Sequence, residues 1–310
     1  MIAVPRAAGM APAIVSVELQ GGLGNQMFQY AAGHALARRT GASLRLDVGH
    51  FARFDKRHYL LDCYGVPAQI SQEASPGAWR GLAHSLAVRA SRKLGLPTRV
   101  LYGGWQIYIQ PGFHFDAAFD TLTPPVHLDG YFQSERYFGA VGDEIRDLFT
   151  IRVPASPGFA AQRDAIAAAA WPVSVHVRRG DYISDPVVRE VHGMCDDEYY
   201  RAAITSAERL CGGSPTYFVF SDDLPRAREL LRDLHDAVYV DSDAERPWED
   251  MALMAACRTH IIANSSFSWW GAWLDPRPDK QVIAPRQWFT PAHQRTVSTA
   301  DVYSPGWIVL

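Results

Sequence analysis

The chain has 310 residues, 48% hydrophobic and 20% charged, which supplies enough apolar material for packed cores and rules out wholesale disorder. Its length corresponds to about two domains. Basic and acidic residues number 30 and 33, the formal net charge is −3, and no Lys/Arg run resembles a phosphate-backbone stripe, so a nucleic-acid partner is excluded.

Residues Ile14 to Leu19 alternate and are rich in β-branched side chains, which predicts a strand. It leads into Gly21-Gly22-Leu23-Gly24-Asn25. From Gln26 to Thr40, Phe28, Ala31, Ala32, Ala35 and Leu36 recur at helical spacing, and Gly41 follows as a stop. A second strand is expected over Ser43 to Asp47. The stretch from Phe51 to Pro125 is less periodic and holds several helical fragments. Val126 to Gln133 again predicts a strand, Ser134-Glu135-Arg136 a helix start, and Pro154-Ala155-Ser156-Pro157 an interdomain linker.

Beyond that linker the pattern is regular. Strands are predicted near Val173–Val177, Thr216–Phe220, Ala237–Val240, His260–Ala263 and Gln281–Ala284, separated by helices such as Asp197–Leu210, Pro225–Leu234 and Trp248–Cys257. Repeated strand–helix–strand units imply a parallel sheet covered on both faces, and ligands bind such sheets at the carboxyl ends of the strands. The sequence turns polar at those ends.

The first of them reads His176-Val177-Arg178-Arg179-Gly180-Asp181. Two arginines after a buried strand call for an anion, and a guanidinium grips a phosphate through two hydrogen bonds, so a diphosphate-bearing ligand is expected. An Arg179–Asp181 ion pair is the structural alternative. The next strand ends in Ser221-Asp222-Asp223; a carboxylate there accepts hydrogen bonds from a guanine edge or ribose hydroxyls, or caps the following helix, and one aspartate can do each.

The segment Asn264-Ser265-Ser266-Phe267-Ser268-Trp269-Trp270-Gly271 places hydroxyls and free N–H groups at a helix start, a ready anion site as well as a helix cap. Trp269, Trp270 and Trp273 are read as core packing. Gly22-Leu23-Gly24 with Asp47 invites a dinucleotide-binding reading, but Met27 occupies the third glycine position of that fingerprint, where bulk opposes close helix–strand packing. Asp241-Ser242-Asp243 could hold a divalent cation, although short acidic loops are common. The four cysteines, Cys63, Cys195, Cys211 and Cys257, form no CxxC pair, so reduced thiols are expected. The amino-terminal apolar stretch is short and broken by Pro12, and no window of about twenty apolar residues is present to span a bilayer.

Taken together, several blocks resemble the family-eleven glycosyltransferases, the α-1,2-fucosyltransferases. They are Gly21-Gly22-Leu23-Gly24-Asn25-Gln26-Met27-Phe28-Gln29-Tyr30-Ala31, Gly130-Tyr131-Phe132-Gln133-Ser134-Glu135, and His176-Val177-Arg178-Arg179-Gly180-Asp181-Tyr182. His192-Gly193-x-Cys195 before Tyr199-Tyr200, Phe218-x-Phe220-Ser221-Asp222-Asp223, and the Asn264–Trp273 block follow in the same order.

The resemblance implies an α/β, type-B glycosyltransferase architecture, two Rossmann-like domains facing a cleft. Residues 1–154 would bind the acceptor and residues 155–310 GDP-fucose, the last residues packing back on the first domain. It implies GDP-β-L-fucose as donor, a galactose-terminated oligosaccharide as acceptor, inversion to an α-linkage at its 2-hydroxyl, and no cofactor or metal. Arg178 would hold the β-phosphate, His176 with Asp222 or Asp223 the guanosine, and Ser265 and Ser266 the diphosphate oxygens, with Asn264 and Phe267 also among the donor-binding residues. Gly22, Gly24, Asn25 and Gln26 would lie beside fucose and acceptor, Asn25 orienting the nucleophile, and Asp181 is a conceivable base. Two alternatives stay open: other regiochemistry on a nodulation-type lipo-oligosaccharide, and a non-catalytic nucleotide-sugar or glycan binder. A cytoplasmic protein, peripheral to the inner face of a bacterial membrane, is expected.

Overall fold

A computed structural model describes residues 13–52, 57–71, 98–102, 104–179 and 190–310. The alternating amino-terminal stretch forms β1 (Ile14–Glu18), and the chain turns through Gly21, whose φ of 79° lies in the left-handed region glycine tolerates, into α1 (Leu23–Thr40). This helix begins earlier than the apolar spacing predicts, because the Gly22 carbonyl already accepts the N–H groups of Asn25 and Gln26. Gly41 ends it in an αL cap, as expected.

The first sheet adds β2 (Ser43–Asp47), β3 (Gln69–Ser71), β4 (Thr98–Tyr102), β5 (Trp105–Ile109) and β6 (Val126–Asp129). Its six strands run in the order β3-β2-β1-β6-β5-β4, parallel throughout except for the β4–β5 hairpin. That hairpin lies in the aperiodic middle of the chain. The strand predicted over 126–133 stops at Asp129: Gln110 Oε1 accepts the N–H groups of Tyr131 and Phe132, and Phe132 takes a φ of 53°, which no strand continues. Ser134 then caps a 3₁₀ turn over Glu135–Tyr137 rather than an α-helix.

The second sheet holds β7 (Pro172–Val177), β8 (Thr216–Ser221), β9 (Ala237–Tyr239), β10 (Thr259–Ile261), β11 (Gln281–Ala284) and β12 (Ile308–Val309). All six are parallel, in the order β12-β11-β10-β7-β8-β9, a doubly wound order whose direction reverses between β7 and β10. Around the two sheets pack α2 (Gly142–Leu148), α3 (Pro157–Ala168), α4 (Asp197–Cys211), α5 (Leu224–Leu230), α6 (Pro247–Ala256) and α7 (Ser266–Trp273). In both sheets a serine on the first strand meets a histidine at the paired position across the reversal: Ser16 with His127 at 3.2 Å, Ser174 with His260 at 3.1 Å.

The Pro154–Pro157 segment is a pinned helix start. Ser156 caps α3, and its N–H and hydroxyl both donate to the buried Glu249 of α6, which Arg246 also holds. The halves share a core as well. Trp269 and Trp270 of α7 pack on Phe28 of α1 with ring centroids 4.5 and 4.9 Å apart, so these tryptophans are core, as read. Near the carboxyl end, Asp301 accepts from Arg136 and from the Phe115 N–H of the first half, while Ile308–Val309 complete the second sheet. Among the described residues no helix is long and apolar enough to cross a membrane.

The close helix–strand approach excluded at Met27 occurs at Gly33, where an added Cβ would strike Val17 Cγ2 on β1. Gly33→Ala is expected to cost about 1–3 kcal/mol through overpacking, read as a lowered denaturation midpoint; unchanged stability would show that α1 is free to shift.

Candidate active site

The carboxyl ends of both sheets open into one cavity of about 890 Å³, a size that accommodates a nucleotide-sized ligand. One wall comes from the second half: His176 and Arg178 after β7, Asp222 after β8, Ser242 and Asp243 after β9, and Asn264, Ser265 and Ser266 after β10. The other wall comes from Gly22, Gly24 and Asn25 after β1, with His58 and Gln133. Of the predicted residues, all but Asp181, Asp223 and Gln26 line this cavity. Asp181, and with it the Arg179–Asp181 pair, lies outside the described residues.

Arg178 and Asp222 pair at 3.1 Å, their side chains 23% and 26% exposed. The other carboxylate oxygen of Asp222 accepts the Arg179 N–H at 2.8 Å. Arg179 is buried, and its Nε and Nη2 have no partner among the described residues, an expensive state for a guanidinium. His176 lies beneath Arg178, its Nδ1 without a partner. Burial, then the positive charge of Arg178, hold its pKa well below the usual histidine value and keep the ring neutral.

The two adjacent aspartates divide their roles. Asp223 caps α5 by accepting the Arg226 N–H at 3.1 Å and does not line the cavity, the capping role the sequence offered for one of the pair. Asn264 lines the cavity, but its amide donates to the carbonyls of Gly193 and Trp288 at 2.5 and 3.0 Å, which makes it a clamp between loops. Ser265 caps α7 by accepting the Phe267 N–H. Ser266 and the first amides of α7 stand at the mouth of that helix, beside Phe267.

Gln26 is fully buried, a correction to its expected place beside the ligand: its amide donates to the Gly21 and His58 carbonyls and accepts the Leu60 N–H, tying the glycine loop to the 58–60 segment. Asn25 does face the cavity, and its Oδ1 accepts from Gln133 Nε2 at 2.7 Å. At Gly24 the backbones of the two halves come close together. A Cβ there would lie 2.6–2.8 Å from the Ser266–Phe267 peptide, and the Trp270 indole donates to the Gly24 carbonyl at 2.9 Å. Asp47 is sealed in a turn, accepting the Gly49 N–H, far from the ribose role a dinucleotide enzyme would need. Asp243 accepts the Glu245 N–H, and among the described residues no three His, Cys, Asp or Glu side chains come together as a metal cluster.

Residues 116–310 match the profile of Glycosyl transferase family 11. Over 282 residues, 89% of this chain and 92% of the other, the chain is 30% identical to an alpha-1,2-colitosyltransferase of Escherichia coli. The chain belongs to glycosyl transferase family 11. It is also 26% identical to galactoside alpha-(1,2)-fucosyltransferase 2 of Oryctolagus cuniculus, over 84% of this chain and 66% of that one. In structure it is similar to the fucosyltransferase NodZ from Bradyrhizobium, with a TM-score of 0.50 at 17% identity, over 86% of this chain and 95% of that one. The shared fold is the type-B glycosyltransferase architecture.

Two cavity residues of this family 11 protein escape a reading by motif. Gln133 sits in a matched block but shows its use only through its contact with Asn25. Asp250 of α6 stands beside Glu249 in the first turn of a helix, where acidic residues are ordinary; only the fold turns it into the cavity. Burial, together with the carboxylates of Glu249, Asp243 and Asp241, pushes its pKa up to about 6 from 3.8. Such a carboxyl stabilises the fold while protonated, and that contribution is lost as pH rises through 6. Asp250→Asn is therefore expected to exceed the parent in stability by roughly 1–2 kcal/mol at pH 8, with the gap closing towards pH 4. Denaturant titrations at both pH values measure it, and a gap that does not change with pH would remove the carboxyl as its source.

Proposed function

We propose that this glycosyltransferase moves L-fucose from GDP-β-L-fucose to the 2-hydroxyl of a terminal galactose, inverting the donor to an α-linkage. The observation that carries the reading is one cavity in which Arg178, a neutral His176 and the α7 amino terminus face Asn25 across the cleft. The family motifs and the relatives named for α-1,2 transfer support the linkage.

In this reading the β-phosphate lies between Arg178 and the Ser265–Ser266 turn. Helix amides and a guanidinium are matched to an anion there, and Asp222 keeps the Arg178 side chain aimed before the donor arrives. Guanine enters between His176 and Asp250; a carboxylate accepts the paired N–H donors of a guanine edge, and a carboxyl with a pKa near 6 is ionised for that purpose at neutral pH. The acceptor oxygen forms its bond to fucose C1 as the bond from C1 to the phosphate oxygen breaks. GDP departs with the electron pair, and Arg178 stabilises the charge that develops on it. The acceptor's proton passes to a base, for which the sequence nominates Asp181.

A cation on Arg178 together with the α7 amides meets the electrostatic need of the leaving pyrophosphate, so we propose that no metal is required; activity is expected to survive EDTA. Nucleotide-sugar supply would place the enzyme in the cytoplasm, at the inner face of a membrane where glycans are built.

A second donor has support in the relative named a colitosyltransferase, since colitose is fucose without its 3-hydroxyl. Incubating the protein with each GDP-sugar and lactose, measuring GDP release, and determining the product linkage by NMR separates these readings. Release of GDP with an α-1,2-fucosylated product supports the proposal; binding without turnover would make the protein a nucleotide-sugar binder. Arg178→Ala is expected to lower kcat by about 10²–10³, and near-normal turnover in that variant would take Arg178 out of the mechanism.

A further inference from the structure

Two carboxamides stand together on the cavity wall that faces Arg178. Gln133 Nε2 donates to Asn25 Oδ1 at 2.7 Å. Among the described residues this is the only side-chain hydrogen bond of either, which leaves the Asn25 Nδ2 amino group as a donor and the Gln133 Oε1 carbonyl as an acceptor in a cavity that both residues line. One donor beside one acceptor matches a hydroxyl, which both gives and takes a hydrogen bond. It matches neither an anion nor a methyl group.

The backbone beneath this pair is built to hold it. Gln29 donates to the Gly130 carbonyl at 3.1 Å, and Gln110 accepts the Tyr131 and Phe132 N–H groups at 3.0 and 2.9 Å. Phe132, fully buried, is kept at a φ of 53°, a left-handed conformation that a bulky residue adopts only where its surroundings impose it. The effect is to turn the next side chain, Gln133, towards Asn25. On the other side of the contact, Gly24 lies against the Ser266–Phe267 peptide. Asn25 therefore starts one residue from the mouth of α7, where the pyrophosphate is placed, and the group bonded to the far side of that pyrophosphate is the sugar.

We propose that Asn25 and Gln133 act as one reader of a single ring hydroxyl of the transferred sugar, Asn25 donating to it, and Gln133 accepting from it while fixing the orientation of the Asn25 amide. This makes Gln133 a specificity-determining residue for the donor, and it rests on the reading of the cavity as a GDP-sugar site. A site that hydrogen-bonds a hydroxyl penalises an analogue that lacks it, because the site's own polar groups are left unpaired.

The test compares kcat/KM for GDP-fucose with that for its 2-deoxy, 3-deoxy and 4-deoxy analogues, in the parent protein, Gln133→Ala and Asn25→Asp, with GDP affinity measured by calorimetry. The parent is expected to disfavour one analogue by about 10–100-fold. In Gln133→Ala that ratio should fall to within about threefold while GDP affinity stays within about twofold, since no nucleotide contact is altered. Asn25→Asp still accepts from Gln133 but has lost the amino donor, so it should keep the fold and lose the same discrimination. Parent-like discrimination against every analogue in both variants, with GDP bound normally, overturns the inference alone. A parent protein that does not bind GDP overturns the donor reading beneath it.

Discussion

The geometry of the site depends on one contact, the seat of Gly24 against the Ser266–Phe267 peptide. Two doubly wound sheets each offer a polar rim at their carboxyl ends, but a shared cavity needs those rims to meet at a fixed distance. The missing Cβ of Gly24 lets the loop after β1 touch the amino terminus of α7, and the Trp270 indole locks its carbonyl at 2.9 Å. The same helix drives Trp269 and Trp270 into the core beside Phe28. Burying aromatic surface of that extent contributes several kcal/mol, so the junction beneath the cavity is held by packing. The Glu249 clamp on Ser156 holds the chain crossing between the halves in the same way.

Above that junction the cavity holds ionisable groups in electrostatically unfavourable surroundings. His176 is buried beside Arg178 with its pKa held low and its Nδ1 without a partner among the described residues, and Asp250 sits among other carboxylates. Each is costly for folding. On the function proposed for this cavity, Arg178 would meet the phosphate of a nucleoside diphosphate, and the neutral His176 ring and the Asp250 carboxylate its base edge. Functional sites commonly carry such costs, which the surrounding packing offsets. Elsewhere the cavity lining carries the neutral amides of Asn25 and Gln133, with Arg57 and His58 also part of it.

Local sequence determined much of the second half. Strands such as Val173–Val177 and Gln281–Ala284 are short, valine- or isoleucine-bearing segments set between helix-like stretches, the pattern of a buried parallel sheet. Polar residues just beyond them, Arg178 and Ser265 among them, fall at strand ends whatever the rest of the chain does. In the first half α1 was legible from its spacing, whereas the β4–β5 hairpin was not, because a short edge pair is set by its neighbours more than by its own pattern. The strand expected to reach Gln133 ended at Asp129 because Gln110, distant in sequence, takes its next amides.

Which polar residues face the cavity was decided by tertiary structure. Asp222 and Asp223 are chemically identical and adjacent, yet one pairs with Arg178 and the other caps α5, since the helix start assigns them opposite directions. Gln26 and Asn25 are separated by one position on α1 and divided between core and cavity in the same way. Gln133 entered the site only through a partner far away in the chain: Gln133 and Asn25 are 108 residues apart, and Trp270 and Gly24 are 246 apart. The sequence by itself determined the element types and the chemistry available at the strand ends, because these follow from local periodicity and side-chain identity. The direction each side chain takes, and the partner it meets, were decided only when the two sheets closed on Gly24, because contacts between distant residues exist only in the folded chain.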